Sequence, residues 1–275
     1  MGYAYEEFDW YETPLFYDIV FADGTKDDCD FLEALYERHA PTKRRRILEP
    51  ACGSGRLVRE MARRGYRVTG FDISPGSVEF ARNSLVGGSP GGADGAHAVR
   101  IPPARVLQAD MASFRSRHRY DLAHCLISSF QHLKSERAAL AHLRAMAAVL
   151  TKGGIYALAF HVCRYDHQSM ERERNIGQRG DLHVVCNVQI WPAQQRRRRQ
   201  KMRSRLIVRN GQNVSRYQTS WEFRTYDDQQ FRRLLAKVPE FEHLATYDYD
   251  YDCARPPIYE LGSDRLDQVV ILRRR

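Results

Sequence analysis

The stretch RRRILEPACGSGRLVREMARRGYRVTGFD, residues 44–72, places a glycine turn and an amphipathic segment between two apolar runs. "RRILEPA" predicts a short strand running into the turn. "GRLVREMARRG" repeats apolar residues at Leu57, Val58 and Met61, a helical spacing, and stops at Gly65 as a C-terminal cap would. "YRVTGFD" predicts a second strand. Glu49 stands at the end of the first strand and Asp72 at the end of the second. In an open parallel sheet the ligand crevice lies outside the carboxyl ends of the strands. Glycines there let backbone approach a ligand, and a helix N-terminus presents spare N–H groups. Glu49, Gly53 and Gly55 fall in that place.

The rhythm of a parallel sheet continues to residue 160. "SPGSVEFARNSL" predicts a helix with Ser74 as N-cap and Pro75 in its first turn. "VGGSPGGADGAHAVRIPP" predicts a flexible surface loop. Strands "ARVLQAD" and "YDLAHCLIS" follow, then an amphipathic helix over 135–150, ended by "TKGG", and a strand over 155–161. Beyond it the period changes to two. "LHVVCNVQI", "KMRSRLIV" and "SRYQTSWEF" predict three antiparallel strands, the last two joined by an Asn-Gly turn. Helix "DDQQFRRLLAKV" and strands "FEHLATYDY" and "DQVVILRRR" return to the core. The expected fold is α/β: a seven-stranded, mostly parallel, Rossmann-like sheet with helices on both faces and an inserted three-stranded antiparallel cap. The expected units are an N-terminal helical lid (1–43), a cofactor-binding core (44–162), the β insertion (163–225) and a C-terminal part of the core (226–275).

Composition narrows the class. At 275 residues and 32.0 kDa the chain can bury one large core. Its mean hydropathy is −0.57, and its longest apolar runs are far shorter than a membrane span. The acidic, aromatic start MGYAYEEFDW is neither a secretory signal nor a basic transit peptide, so a cytoplasmic protein is expected. Of 43 basic residues only six are Lys, and the Arg are scattered, so the net charge of +9 reads as solvated surface. Membrane and nucleic-acid partners are not expected. The six cysteines and ten histidines show no zinc spacing and no HExxH pattern, so no metal is expected.

These residues resemble the class I S-adenosylmethionine-dependent methyltransferases. "ILEPACGSGR" is similar to the first motif of that family, with Ala51 where many members carry Gly. The resemblance implies S-adenosylmethionine as cofactor and S-adenosylhomocysteine as product. It assigns Glu49, Ala51, Gly53 and Gly55 to the methionyl end and the turn, and Asp72 to the ribose. Ile73 would lie against the adenine, and Asp110 with the Met111 backbone would read its edge. The strand end at Cys125 and Leu126 is assigned to the cofactor as well. A nicotinamide dehydrogenase would need GxGxxG, but Arg56 and Leu57 follow Gly55; a P-loop would need GxxxxGK[ST], which is absent.

The acceptor is less legible. "YDLAHCLISSFQHL" resembles the glycine N-methyltransferase type, with Ser128 in place of Asn, while Ser129, Phe130, His132 and Leu133 agree. By that resemblance Arg164, one residue out of register, would pair with an acceptor carboxylate, and Tyr17 in "LFYDIVF" would face the sulfonium. The inserted sheet fits amino-sugar N-methyltransferases. The expected substrate residues are Tyr11, Tyr17, Ser128, His132, Arg164, Tyr217 and Trp221, and the expected catalytic residues are His132, His161 and Tyr17. The expected reaction moves a methyl group to N or O of a small molecule by in-line displacement. Two alternatives stay open: an RNA or protein methyltransferase using the Arg clusters, and a non-catalytic cofactor-binding domain. The oligomeric state is open too, a homodimer included.

Overall fold

The computed structural model describes residues 4–86, 103–251, 257 and 267–275. The expected loop at 86–103, apart from its two ends, and Cys253 lie outside the described residues. The chain begins with strand β1 (Glu6–Glu7) and helices α1 (Pro14–Val20) and α2 (Thr25–His39). The glycine unit follows as β2 (Arg46–Pro50), α3 (Arg56–Arg63) and β3 (Arg67–Asp72), then α4 (Pro75–Val86), β4 (Arg105–Gln108) and β5 (Tyr120–Cys125). A 3-10 turn (Ser129–His132), α5 (Glu136–Val149) and β6 (Leu150–His161) complete the first half. The second half contains β7 (Glu171–Arg179), β8 (Leu182–Ile190), β9 (Arg199–Asn210), β10 (Asn213–Arg224), α6 (Asp228–Leu235), β11 (Phe241–Asp248) and β12 (Asp267–Arg274).

The main sheet has seven strands in the order β11-β12-β6-β5-β2-β3-β4, with only β12 running antiparallel to the others. The chain moves outward from β2 through β3 to β4, then crosses to β5 on the other side. The order therefore reverses between β2 and β5, and a crevice opens at their carboxyl ends. One apolar layer packs α5 and α6 on the sheet; another packs α2, α3 and α4 on the opposite face. Leu57, Val58 and Met61 are all buried, as their spacing requires. Each such side chain contributes about 1.5–3 kcal/mol of burial.

The second sheet corrects the expected cap. It has five strands, β1-β10-β9-β8-β7, of which four come from the insertion and one from the N-terminus. The strand missed in the insertion is β7, ERERNIGQR. It carries no apolar alternation because its core-ward positions are Glu171, Glu173 and Asn175, which line a cavity instead of an oily layer. The second difference is at "TKGG". Helix α5 ends at Val149 and β6 starts at Leu150, so the glycines sit within the strand, beside a register shift against β5. Among the described residues no helix is long and apolar enough to cross a membrane.

Candidate active site

A cavity of about 720 Å³ lies between the carboxyl ends of the main sheet, the N-terminal segment and the inner face of the second sheet. Its floor is the glycine turn. Ala51 (φ 53°) and Gly53 (φ 51°) both adopt the left-handed conformation. That geometry explains why glycine suits position 51; an alanine there costs roughly 1 kcal/mol of strain. Gly55 is the left-handed N-cap of α3, and a Cβ there would stand 2.8 Å from that of Ala81, so its role is helix packing rather than contact with the cavity.

Asp72 receives the turn. Its two oxygens accept from the backbone N–H of Gly53 (2.8 Å) and of Ser74 (3.0 Å). Burial raises its pKa, and those N–H groups pull it back. Glu49 also lines the cavity; it is 8% exposed and its Oε2 has no hydrogen-bond partner. Burial pushes its pKa up to about 8; Arg56 opposes this, while Asp28 and Asp72 add to it. Beside it Arg56 and Asp28 form a buried ion pair at 2.5 Å. Nothing in the sequence pattern linked these two residues, which lie on α3 and α2.

The N-terminal segment forms one wall. Tyr17 lines the cavity, with its ring against those of Phe21 (4.5 Å) and Trp10 (5.4 Å); burial raises its phenol to about 12. Tyr11 reaches across to His132, with 3.3 Å between the phenolic oxygen and Nε2. Burial, aided by Lys134, lowers the His132 imidazole to about 4. Trp221 and Phe223 of β10 pack edge-on to this pair. At the end of β5, Ile127 (φ 59°) and Ser128 (φ 57°) are both left-handed, and Ser128 shares a hydrogen bond with Tyr249 (3.0 Å). A β-branched residue in that region is strained, and such strain collects at functional sites.

The cap side of the cavity is acidic. Glu171 and Glu173 of β7 line it together with Asn175 and Asp267. Asp267 accepts from His161 Nδ1 at 2.6 Å. Burial lowers the His161 pKa, but the Asp267 bond outweighs it and the net shift is upward. Burial raises the pKa of Glu173, and Asp267 and Glu171 raise it further.

Ile73, Met111 and Leu126 also line the cavity, whereas five of the expected residues do not. Asp110 is exposed and spends Oδ1 on the backbone N–H of Ala112 (2.7 Å). Cys125 is buried inside the core cluster behind the sheet. Tyr217 stacks on Phe8 (4.6 Å) and Phe16 (6.0 Å) in the apolar layer under the second sheet. Arg164 lines an adjoining hollow of about 80 Å³ that shares His161, Glu171, Ile190 and Gln200 with the cavity, and its guanidinium is turned onto Asp166 at 3.0 Å. The cavity residues that sequence reasoning missed include four charged ones, Glu171, Glu173, Asp267 and Arg56, and also Tyr249. Only Arg56 stood near a motif.

Residues 47–154 match the model of a protein family described as a methyltransferase domain. The fold agrees with that of an S-adenosylmethionine-dependent methyltransferase from Clostridium acetobutylicum (16% identity, 90% of this chain and 91% of that one, TM-score 0.68). It also agrees with a sugar N-methyltransferase from Streptoalloteichus sp (17% identity, 100% and 96% covered, TM-score 0.67). A third likeness is to an amino pentose methyltransferase from Micromonospora echinaspora, solved with S-adenosylmethionine bound (17% identity, all of both chains, TM-score 0.65). No curated protein matches the sequence.

The fold is thus the Rossmann-like one of the solved S-adenosylmethionine-dependent methyltransferases. Within it, residues 47–154 are the part that matches a methyltransferase domain. The crevice suits S-adenosylmethionine on two counts: a buried carboxyl oxygen at Glu49 lacks a partner that a cationic ligand group would supply, and left-handed backbone at Ala51 and Gly53 lines the cavity floor.

Proposed function

We propose that the chain methylates the nitrogen of a small-molecule amine. The observation that carries this reading is the acidic cap side of the cavity, where Glu171, Glu173 and Asp267 face the space beyond the glycine turn. Carboxylates there attract an ammonium ion and would repel a carboxylate or phosphate. The cavity volume also suits a small ligand rather than a polymer side chain on a folded surface. The sugar N-methyltransferase and amino pentose methyltransferase that share the fold support the same acceptor chemistry.

Glu49, Ala51 and Gly53 would hold the methionyl end of the cofactor, Asp72 the ribose, and Ile73, Met111 and Leu126 the adenine side. When bound, the cofactor supplies a methyl group already activated on a sulfonium. The chain's work is then to align the nitrogen lone pair, exclude water and remove a proton from the ammonium. His161, raised by Asp267, fits proton removal better than His132, whose low pKa leaves it a poor base. His132 instead holds Tyr11, and Tyr11 and Tyr17 with Trp221 close the aromatic wall around the reacting centre. In this reading residues 1–43 act as the lid and 163–225 as the cap over the core at 44–162 and 226–275, in the cytoplasm, where the five described thiols stay free.

The test is turnover against matched panels of small amines, alcohols, phenols and carboxylic acids, read by mass of the product. Methylated amines support the proposal. Methylation of oxygen acceptors alone, or of RNA alone, defeats it.

A further inference from the structure

Asp18 lies on α1 and is only 3% exposed, yet no expected role falls to it. Its two oxygens go to different layers of the protein. Oδ1 accepts from Arg59 Nη2 on α3 at 2.7 Å, and Oδ2 accepts from Arg179 Nη2 on β7 at 2.6 Å. Arg59 also donates through Nη1 to the backbone oxygen of Ser54 in the glycine turn (2.8 Å). Arg179 ends the strand that carries Glu171 and Glu173 along the cavity. Helix α1 lies directly on that strand: a Cβ at Gly177 would stand 2.2 Å from the Ile19 carbonyl oxygen. The neighbouring Tyr17 lines the cavity between these two attachments.

We propose that Asp18 is a positioning residue that ties the cofactor turn to the acceptor wall through α1, so that the N-terminal segment closes over both ligands as one unit. The inference rests on the methyltransferase reading and adds to it a defined latch. Burial pushes the Asp18 pKa up, but Arg59 and Arg179 outweigh that and hold it below the usual carboxylate range, so the latch is ionised at neutral pH. A buried ion pair contributes little net stability over a well-packed apolar replacement, whereas removing one partner leaves the others uncompensated. The geometry therefore sets where α1 sits more than how stably the core folds.

The experiment compares wild type, Asp18→Asn, Arg179→Gln and the double variant. Calorimetry with S-adenosylhomocysteine gives the cofactor-site affinity without any acceptor. Hydrogen exchange follows residues 9–21 against β5 and β6. Asp18→Asn should weaken binding on the order of tenfold and speed exchange in 9–21 alone, leaving β5 and β6 unchanged. Adding Arg179→Gln to Asp18→Asn should change the affinity little further, because both substitutions break the same contact. Arg179 is half exposed, so Arg179→Gln folds and tests the latch even where Asp18→Asn does not. Wild-type affinity and lid exchange in Arg179→Gln, or loss of stability spread evenly over the chain, overturns the latch. Failure of the wild-type protein to bind S-adenosylhomocysteine overturns the cofactor reading instead.

Discussion

Tyr11 and His132 meet at 3.3 Å, phenolic oxygen to Nε2, and join the N-terminal segment to the 3-10 turn after β5. The two belong to elements 121 residues apart in sequence. Replacing Tyr11 by Phe keeps the edge-on packing against Trp221 but removes this contact. The expected result is a fall in kcat of about tenfold, the scale of one lost hydrogen bond, with cofactor affinity nearly unchanged. Steady-state kinetics with calorimetry on the same variant separates the two.

His132 is lowered to about 4, so it is neutral throughout the physiological range. His132→Gln should therefore lower kcat without removing an ascending limb of the pH–rate profile near neutrality. His161→Asn should remove that limb, because an imidazole ordinarily titrates near neutrality and the Asp267 bond shifts His161 upward from there. A profile in which the reverse holds would exchange the roles of the two histidines.

Glu49 sits at about 8 in the cofactor-free protein, so at pH 7 its carboxyl is mostly protonated. A cationic ligand favours the ionised form and lowers that pKa, so binding at pH 7 should release close to one proton. Calorimetry of S-adenosylmethionine binding in buffers of different ionisation enthalpy measures it. The release should vanish in Glu49→Gln.

Glu173→Gln should raise the KM for an amine acceptor while the affinity for S-adenosylhomocysteine stays at its wild-type value. Glu173 lines the cap side of the cavity and has no hydrogen bond to the glycine turn. Equal losses for both ligands would place the carboxylate in the cofactor site.

His124 is fully buried in β5 and neither ring nitrogen has a partner. Burial lowers its pKa to about 3, and that of His142 to about 4. Both are neutral when folded but bind a proton in the unfolded chain below about 6.5. The unfolded state thus takes up more protons as pH falls from about 6.5 toward 4, and stability falls with it. His124→Leu removes two unsatisfied polar atoms and should raise stability by about 1–3 kcal/mol. It should also flatten the loss of stability between pH 6.5 and 4, as read from thermal unfolding across that range.

What was legible before folding was whatever depends on neighbours in the chain. Leu57, Val58 and Met61 announced α3 because their spacing alone makes a buried face, and Glu49, Gly53 and Asp72 announced the crevice because strand ends and turns are local events. β7 was hidden by the same logic. Its core-ward side chains are carboxylates that face a cavity, so its sequence carries no apolar alternation. Arg164 and Tyr217 had suitable chemistry and stood near suitable motifs, but one turned to Asp166 and the other into an aromatic layer.

The sequence by itself determined the sheet, the glycine turn and the chemistry of the cofactor crevice, because hydrophobic period and turn residues act over a few positions. Only the tertiary structure decided which groups face the cap side of the cavity and what ties α1 to its neighbours. The carboxylates of β7 meet Asp267, at the start of β12, across the cavity, and Asp18 meets Arg59 and Arg179 between α1, α3 and β7. Their shared field exists only once two sheets and a helix have closed around one cavity.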